Sequence, residues 1–247
     1  MTRTLIVPAA GNGSRLGLGG TPKALAPIGS TTLLGAVLAS VGSLFDELVL
    51  VIRPGTGPLF DAALGTLGDR VPSFRTVEQP EPVGSLDAVQ SGSAAAADGP
   101  SVIVWCDQVG VSRETVTALL GALESGSEFA LPYIETPMPY VWLELSDDAS
   151  HVRSVGRRRD GDVPPEVGRA DLGVFGLGSE ARRGLLDDPT FQMDGSAGRE
   201  ADFTYCIPAL STQYATTLLR TTDRRQLIAV NTPDDLAAAQ KEMDDHA

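Results

Sequence analysis

The chain has 247 residues, 42% of them hydrophobic, which is enough to bury the core of one large α/β domain. There are 19 Lys and Arg residues against 32 Asp and Glu residues, and the resulting net charge of −13 argues against nucleic acid or an anionic membrane as a partner. Any anionic ligand therefore needs a local cluster of positive charge.

The cysteines and the apolar runs indicate the cellular setting. Cys106 and Cys206 each belong to an apolar run, which favours buried free thiols in a reducing compartment over a disulfide framework. The run 5–7 ends at Pro8 and is too short for a signal sequence, and no apolar stretch is long enough to span a bilayer. We expect a cytoplasmic protein without a membrane partner. The sequence leaves open whether it forms a homodimer.

The first half of the chain alternates two kinds of apolar pattern. Short runs without polar alternation predict strands that are covered on both faces, at 4–7, 47–52, 74–77 and 102–105. Longer runs with apolar residues at helical spacing follow them, at 32–43, 58–67, 85–97 and 113–124. This succession is typical of βαβ units on a parallel sheet.

The pattern changes in the second half. Strands are predicted in close succession at 129–133, 141–145, 151–155 and 172–177, with a loop rich in Gly, Pro and Arg at 156–169. Helices follow at 180–186 and 203–219, then a strand at 226–230 and a last helix that begins at Pro233 behind an N-cap at Thr232. We expect one α/β domain over residues 1–247, whose mostly parallel mixed sheet has an antiparallel extension.

A glycine-rich segment, PAAGNGSRL, follows the first strand directly at residues 8–16. Gly11 and Gly13 let the backbone pass close to a phosphate chain, while Arg15 and the later Lys23 supply positive charge. A dinucleotide fingerprint would need a glycine where Leu16 stands, and a P-loop would need Gly-Lys-Ser/Thr. A structural turn with a solvated Arg and Lys is the alternative. We favour a polyphosphate site.

An acidic residue ends the strand predicted at 102–105. Asp107 would lie at the carboxyl edge of a parallel sheet, where a hard oxygen ligand suits Mg²⁺ that bridges phosphates. The alternative, a helix cap, is weaker because Ser112 already fills that role. Taken alone, Asn231 near the end of the chain has the pattern of a turn or cap residue.

The string AAGNGSRL at 9–16, followed by PKALAPI at 22–28, resembles the signature of the sugar-1-phosphate nucleotidyltransferases, or pyrophosphorylases. The resemblance implies a Rossmann-like three-layer fold with a nucleotide-binding half over about 1–125 and an acceptor-binding half over about 126–247. It also implies that the loop wraps the nucleotide phosphates through Ala10, Gly11 and Gly13. Arg15 would contact the departing pyrophosphate, and Lys23 would stabilise charge at the reacting phosphates.

Two further segments are similar to the same family. The closing stretch VNTPDDL at 230–236 implies that Asn231 joins Asp107 in the Mg²⁺ site. The segment 78–89 resembles the base-binding stretch, which implies that Gln79 and Gly84 read the base, with Ser85 where Thr is usual. Its middle part is one residue longer and rich in proline, so the base is left open.

The acceptor half departs from the family pattern. The usual Glu after a strand is missing near Arg157–Arg159, and Asp171, shortly before Gly173, replaces an Asn. The three arginines are either a solvated loop or a grip for an anionic acceptor. By resemblance, Arg157, Asp171, Gly173 and Glu200 are the candidate acceptor contacts.

These features predict an enzyme that transfers a nucleoside monophosphate from an NTP to a phosphorylated small-molecule acceptor and releases pyrophosphate. A sugar 1-phosphate is the favoured acceptor. A phosphomonoester is mostly a dianion at pH 7, so the reaction needs no general base. The alternatives are a cytidylyltransferase for a non-sugar phosphate or phosphonate such as phosphocholine, and a molybdopterin-type nucleotide transferase. A glycosyltransferase is less favoured because Asp107-Gln108-Val109 lacks the Asp-x-Asp pattern.

Overall fold

The computed structural model describes residues 1–81, 83–192 and 201–244. Its helices are α1 (Leu33–Val41), α2 (Gly57–Gly65), α3 (Ser85–Ala95), α4 (Arg113–Glu124), α5 (Ser179–Asp187), α6 (Ile207–Gln213) and α7 (Pro233–Asp244). Its strands are β1 (Thr4–Pro8), β2 (Pro27–Ile28), β3 (Thr31–Thr32), β4 (Glu47–Ile52), β5 (Ser73–Glu78), β6 (Ser101–Val104), β7 (Phe129–Pro137), β8 (Val141–Leu145), β9 (Val152–Arg157), β10 (Val167–Asp171), β11 (Val174–Leu177) and β12 (Thr216–Thr221).

A ten-stranded mixed sheet forms the centre of the molecule, in the order β5-β4-β1-β6-β11-β7-β10-β8-β9, with β12 paired to β7. The strands β5, β4, β1 and β6 are parallel to one another. The strands β8 to β11 pair with their neighbours in antiparallel fashion. The predicted α/β class, with a parallel sheet and an antiparallel extension, is confirmed.

Helices cover both faces of the sheet because its central strands are apolar on both sides. The edge strand β5 is largely exposed, so the prediction that residues 74–77 are covered on both faces is wrong. Leu5 and Val7 of β1 pack into one core with residues of α1, α2 and α4. Ile6, on the opposite face of the same strand, packs into a second core with residues of α3, α5 and α6. Successive side chains of a strand point to opposite faces, so the uninterrupted apolar run of β1 produces a three-layer fold.

The antiparallel strands form a wall beside the carboxyl end of β6. β10 and β11 are two parts of one run that is interrupted at Leu172 and Gly173, and β7 pairs with both parts. β6 pairs with β11, whereas β8 pairs with β10. The register places Pro132 level with Val104, the last residue of β6, so that the rest of β7 extends beyond it. The antiparallel strands therefore extend beyond the edge at which the parallel strands end.

Three predictions about the second half are wrong. The predicted loop 156–169 contains the end of β9 and the start of β10, and the helix predicted at 203–219 ends at Gln213. The predicted strand 226–230 is a turn followed by irregular chain, and the strand lies earlier, at β12. The apolar residues at 226–230 instead place backbone groups against the loop after β6, since Val230 N donates to Asp107 O at 3.0 Å.

Both cysteines are free and buried, as predicted. Burial raises the pKa of the Cys106 thiol to about 12 and that of Cys206 to about 12, so both stay protonated near neutral pH. Within the described ranges, no helix combines the length and the apolar character that crossing a membrane requires.

Candidate active site

An open cavity of about 270 Å³ lies at the carboxyl edge of the parallel strands. Open α/β sheets bind ligands at this edge. The cavity is lined by Pro8, Ala10, Gly11, Gln79, Gly84, Ser85, Ala88, Trp105, Cys106 and Asp107. The lining thus includes five of the six residues predicted to bind nucleotide; the sixth, Gly13, begins the turn that carries Arg15.

The Lys23 ammonium contacts both of the predicted metal ligands. It contacts the Asp107 carboxylate and donates to Asn231 Oδ1 at 2.9 Å. The Arg15 guanidinium donates to the same Asn231 oxygen at 3.1 Å. Four side chains from distant parts of the sequence therefore converge beside the cavity. The two cations share the Asn231 oxygen, and Lys23 also contacts Asp107.

Hydrogen bonds to the backbone hold Asp107 and Asn231 beside each other. Val230 N donates to Asp107 O, and the Gln108 side chain donates through Nε2 to Gln226 O at 2.6 Å. The Asp235 carboxylate accepts from Asn231 N at 3.0 Å and caps the first turn of α7. Gln108 is buried, and its hydrogen bond connects the loop after β6 to the segment before α7. The sequence analysis named it only as part of a possible metal motif.

The donor set fits a divalent metal ion. Asp107 supplies a carboxylate oxygen and Asn231 an amide oxygen, and both already face one cationic atom, Lys23 Nζ. Among the described residues, no group of three or more His, Cys, Asp or Glu side chains is placed to hold a metal. Mg²⁺ commonly uses one or two protein oxygens together with substrate phosphates and water. This pair could therefore hold Mg²⁺ that arrives with a nucleotide.

The Gln79 side chain is buried in the segment that is predicted to bind the base, called the base-binding turn below, and its hydrogen bonds fix its orientation. Its Nε2 group donates to Gly84 O at 3.1 Å and to Asp87 Oδ2 at 2.8 Å. A backbone carbonyl and a carboxylate both accept hydrogen bonds, so the amide N–H₂ group must face them. The Gln79 oxygen is then the atom that could accept a hydrogen bond from a base.

Gly84 is required at this turn by both its backbone angles and its surroundings. Its φ is +140°, and a Cβ atom would lie 2.1 Å from Ala201 O. Leu86 N donates to Ala201 O at 2.9 Å, and Phe203 N donates to Ser85 Oγ at 3.0 Å. The segment that begins at Ala201 therefore packs directly on the base-binding turn, a contact that the sequence did not reveal.

On the acceptor side, Arg157 is buried rather than solvated. Its exposed fraction is 2%, its guanidinium donates to Asp202 Oδ2 at 2.7 Å, and it lies 4.6 Å from the centre of the Tyr205 ring. The next residue points elsewhere, since Arg158 donates to Met138 O at 2.7 Å. The solvated-loop alternative is therefore wrong for Arg157. Arg159 also lies 3.4 Å from Asp202 Oδ2, so Arg157 and Arg159 share a partner that Arg158 does not contact.

Asp171 and Gly173 lie at the interruption between β10 and β11, next to Trp105. Gly173 N donates to Asp171 Oδ1 at 2.6 Å, and Trp105 N donates to Gly173 O at 3.1 Å. A Cβ at Gly173 would lie 2.5 Å from the Trp105 ring. Desolvation raises the pKa of Asp171 to about 6, although the hydrogen bond from Gly173 opposes the shift. Glu200 lies outside the described residues.

Trp105 is the largest site residue that the sequence analysis missed. It lines the cavity and packs edge-on against Phe175 and Phe203, with ring centroids 5.6 and 6.1 Å apart. Its position directly after β6, two residues before Asp107, is the sequence feature that could have identified it as a site residue. The aromatic cluster joins the end of β6 to β11 and to the segment after Ala201.

The fold matches a solved structure, "The Crystal Structure of UDP-glucose pyrophosphorylase complexed with UDP-glucose". The match covers 100% of both chains with a TM-score of 0.75 and 14% sequence identity. It confirms the Rossmann-like nucleotidyltransferase fold.

Curated relatives match at the sequence level, and each is named "Bifunctional protein GlmU". That of Gluconobacter oxydans is 27% identical over 157 residues, which covers 64% of this chain and 33% of the relative. That of Maricaulis maris is 24% identical over 243 residues, covering 97% and 52%. That of Streptomyces coelicolor is 33% identical over 118 residues, covering 47% and 24%. The chain thus spans between 24% and 52% of the length of these relatives.

A sequence model of the MobA-like NTP transferase domain matches residues 5–160, well over half of the chain. The matched range holds the glycine-rich loop, Lys23, the base-binding turn and Asp107, and it reaches the end of β9. The predicted resemblance to nucleotidyltransferases is confirmed, and the chain belongs to the MobA-like NTP transferase family.

Proposed function

We propose that this protein transfers a nucleoside monophosphate from an NTP to a phosphorylated small acceptor, most simply a sugar 1-phosphate, and releases pyrophosphate. The proposal depends on one observation: Arg15, Lys23, Asp107 and Asn231 converge beside a cavity that the glycine-rich loop lines. Cations and hard oxygen ligands together suit a polyphosphate with its metal ion.

The proposed mechanism relies on alignment and charge. The acceptor phosphate is already a nucleophilic dianion at pH 7 and attacks the α-phosphorus in line with the departing pyrophosphate. Lys23 and Arg15 stabilise the negative charge that develops on the phosphates, and the loop at Ala10 and Gly11 binds the phosphate chain. Asp107 and Asn231 would hold Mg²⁺, which supplies further charge neutralisation when bound.

The hydrogen bonds of Gln79 define what a base must offer to its oxygen. Because both of its N–H donors are used within the protein, a base that reaches its oxygen must donate an N–H group. Uracil, thymine and guanine carry such a group on the ring, whereas cytosine and adenine carry it as an exocyclic amino group. We infer that the Gln79 oxygen accepts a hydrogen bond from one of these groups of the base.

A second acceptor class is favoured by the chemistry of Asp171. By resemblance, this carboxyl, whose pKa burial raises to about 6, stands where hexose enzymes have an amide. A carboxylate accepts hydrogen bonds and attracts positive charge, but it cannot donate. An acceptor with an ammonium group, such as phosphocholine, is therefore the alternative to a sugar 1-phosphate.

Pyrophosphate release from a panel of substrates tests the proposal. The panel crosses UTP, dTTP, GTP, CTP and ATP with hexose 1-phosphates, amino-sugar phosphates, phosphocholine and a phosphonate, each with Mg²⁺. We expect release that depends on one class of acceptor, and we expect Asp107→Ala to abolish it while Asp61→Ala, at an exposed position on α2, leaves it intact. Release that is independent of any acceptor, or equal in both variants, would contradict the proposal.

A further inference from the structure

The Lys23 ammonium is bound to both oxygens that the proposed function assigns to a metal ion. It contacts the Asp107 carboxylate and donates to Asn231 Oδ1, which also accepts from Arg15. The side chains of Lys23 and Asp107 are only 14% and 16% exposed. This is a sheltered ion pair, in which a charge interaction is stronger than at the protein surface.

We propose that this arrangement is that of the protein before NTP binds, and that Lys23 keeps free divalent ions out of the site. The metal ion then enters only together with the nucleotide. This inference rests on the proposed function, because it takes Asp107 and Asn231 as the metal ligands.

The charges at the site explain why a free ion is excluded. A divalent ion that took both oxygens would displace the Lys23 ammonium from its partners. Two cations would then lie next to each other in a sheltered site, where their repulsion is weakly screened. The guanidinium of Arg15, which shares the Asn231 oxygen, adds to this repulsion.

A bound triphosphate makes it favourable for Lys23 and Arg15 to leave the metal ligands. Its oxygens accept charge-assisted hydrogen bonds from Lys23 and Arg15. Lys23 can therefore exchange the Asp107 carboxylate for a phosphate, and both cations can leave the Asn231 oxygen. Asp107 and Asn231 are released in the same step that brings the metal ion bound to the phosphates. Lys23 thus has two roles: it binds the metal ligands first and the phosphates afterwards.

Mn²⁺ binding to the nucleotide-free protein, measured by electron paramagnetic resonance, tests the exclusion. We expect Lys23→Met to bind Mn²⁺ at least about tenfold more tightly than wild type. The matched control is Lys241→Met, which removes the same charge at an exposed position on α7. Adding Asp107→Asn to Lys23→Met should abolish the gain. Equal Mn²⁺ affinity in wild type and Lys23→Met would overturn the inference.

The wild-type protein provides a second test, which stands even if Lys23→Met fails to fold. The chain contains two lysines, Lys23 and Lys241, so ¹⁵N-labelled lysine gives two ammonium signals by nuclear magnetic resonance. We expect Mg²⁺ alone to leave the Lys23 signal unchanged, and Mg²⁺ with inorganic tripolyphosphate to shift it. A shift with Mg²⁺ alone would contradict this inference but not the proposed function. No metal binding even with tripolyphosphate would count against both.

Discussion

At the residue scale, Asp107 and Asn231 each contribute a single oxygen to one cationic position. We expect Asp107→Ala and Asn231→Ala each to lower turnover by about 100-fold or more, because each removes an oxygen that the proposed metal needs for charge neutralisation. Steady-state rates at increasing Mg²⁺ concentration measure the effect, and both variants should need more Mg²⁺ than wild type.

Asp61→Ala is the control for these two substitutions, since Asp61 is exposed on α2. Circular dichroism should show that all three variants keep the wild-type fold, because Asp107 and Asn231 lie beyond the ends of the core elements. Normal turnover with a normal Mg²⁺ response in both site variants would remove the basis for the metal site.

Asp171 gives a prediction about stability. Its folded-state pKa of about 6 lies above the ordinary value of 3.8, so the folded protein binds more protons than the unfolded chain between these pH values. Its charge therefore lowers the free energy of unfolding as pH rises from about 4 to 6. We expect Asp171→Asn to raise that free energy by about 1–3 kcal/mol at pH 7.5, and to change it little below pH 4.

Urea denaturation of Asp171→Asn and wild type from pH 4 to 8 measures this difference. The amide keeps an oxygen that can accept the hydrogen bond from Gly173 N, so the substitution changes charge and little else. Asp61→Asn, at an exposed position, serves as the control. A difference that stays constant across this pH range would show that the charge of Asp171 is not the cause.

At the scale of elements, the base-binding turn depends on its contact with the segment after residue 200. We expect Gly84→Ala to raise the KM for NTP, because its Cβ would push Ala201 away and distort the turn that holds Gln79. The matched control is Gly121→Ala in α4, where a Cβ meets nothing within 4 Å. That change should stabilise the helix by about 0.5–1 kcal/mol. Equal KM values for both variants would contradict a role for the turn.

Most of the parallel half of the fold could be predicted from the sequence because β1, β4 and β6 are buried on both faces, although the edge strand β5 is largely exposed. Strands buried on both faces form continuous apolar runs, and the predicted bounds of β4 and α4 are those observed. β10 and β12 were missed for a different reason. β10 contains Gly and polar residues, and it is held in the sheet by pairing with β7 and β8. β12 is held in the sheet by pairing with β7. Sequence patterns carry little information on such pairing.

The same limit applies to the candidate site. Lys23 and Asp107 follow recognisable local patterns, so the sequence was sufficient to propose them. The burial of Arg157 depends on Asp202, which lies 45 residues later, and the position of Gln108 depends on Gln226, 118 residues later. Contacts of this kind are set by the packing of the whole chain. Residue type and spacing predict which side chains have suitable chemistry, but not which partners they meet.

At the scale of the whole molecule, one sheet runs through both halves of the chain. β6, in the half that is predicted to bind the nucleotide, pairs with β11, in the half that is predicted to bind the acceptor. Each of the two large cores also contains residues from both halves: one includes Leu5 and Val174, and the other includes Ile6 and Phe203. Neither half can lose its structure without exposing apolar surface of the other. We therefore propose that residues 1–247 fold as a single domain.

The two tryptophans make this last proposal testable. Trp105 lies in the nucleotide-binding half and Trp142 in the acceptor-binding half, so the variants Trp142→Phe and Trp105→Phe each leave a fluorescent reporter for one half. If the halves unfold together, the fluorescence of each variant and its own far-UV circular dichroism should give the same urea midpoint, because every probe follows one cooperative transition. Each variant is its own control for any loss of stability that the substitution causes. Fluorescence and circular dichroism midpoints that differ within one variant would show that the halves unfold separately.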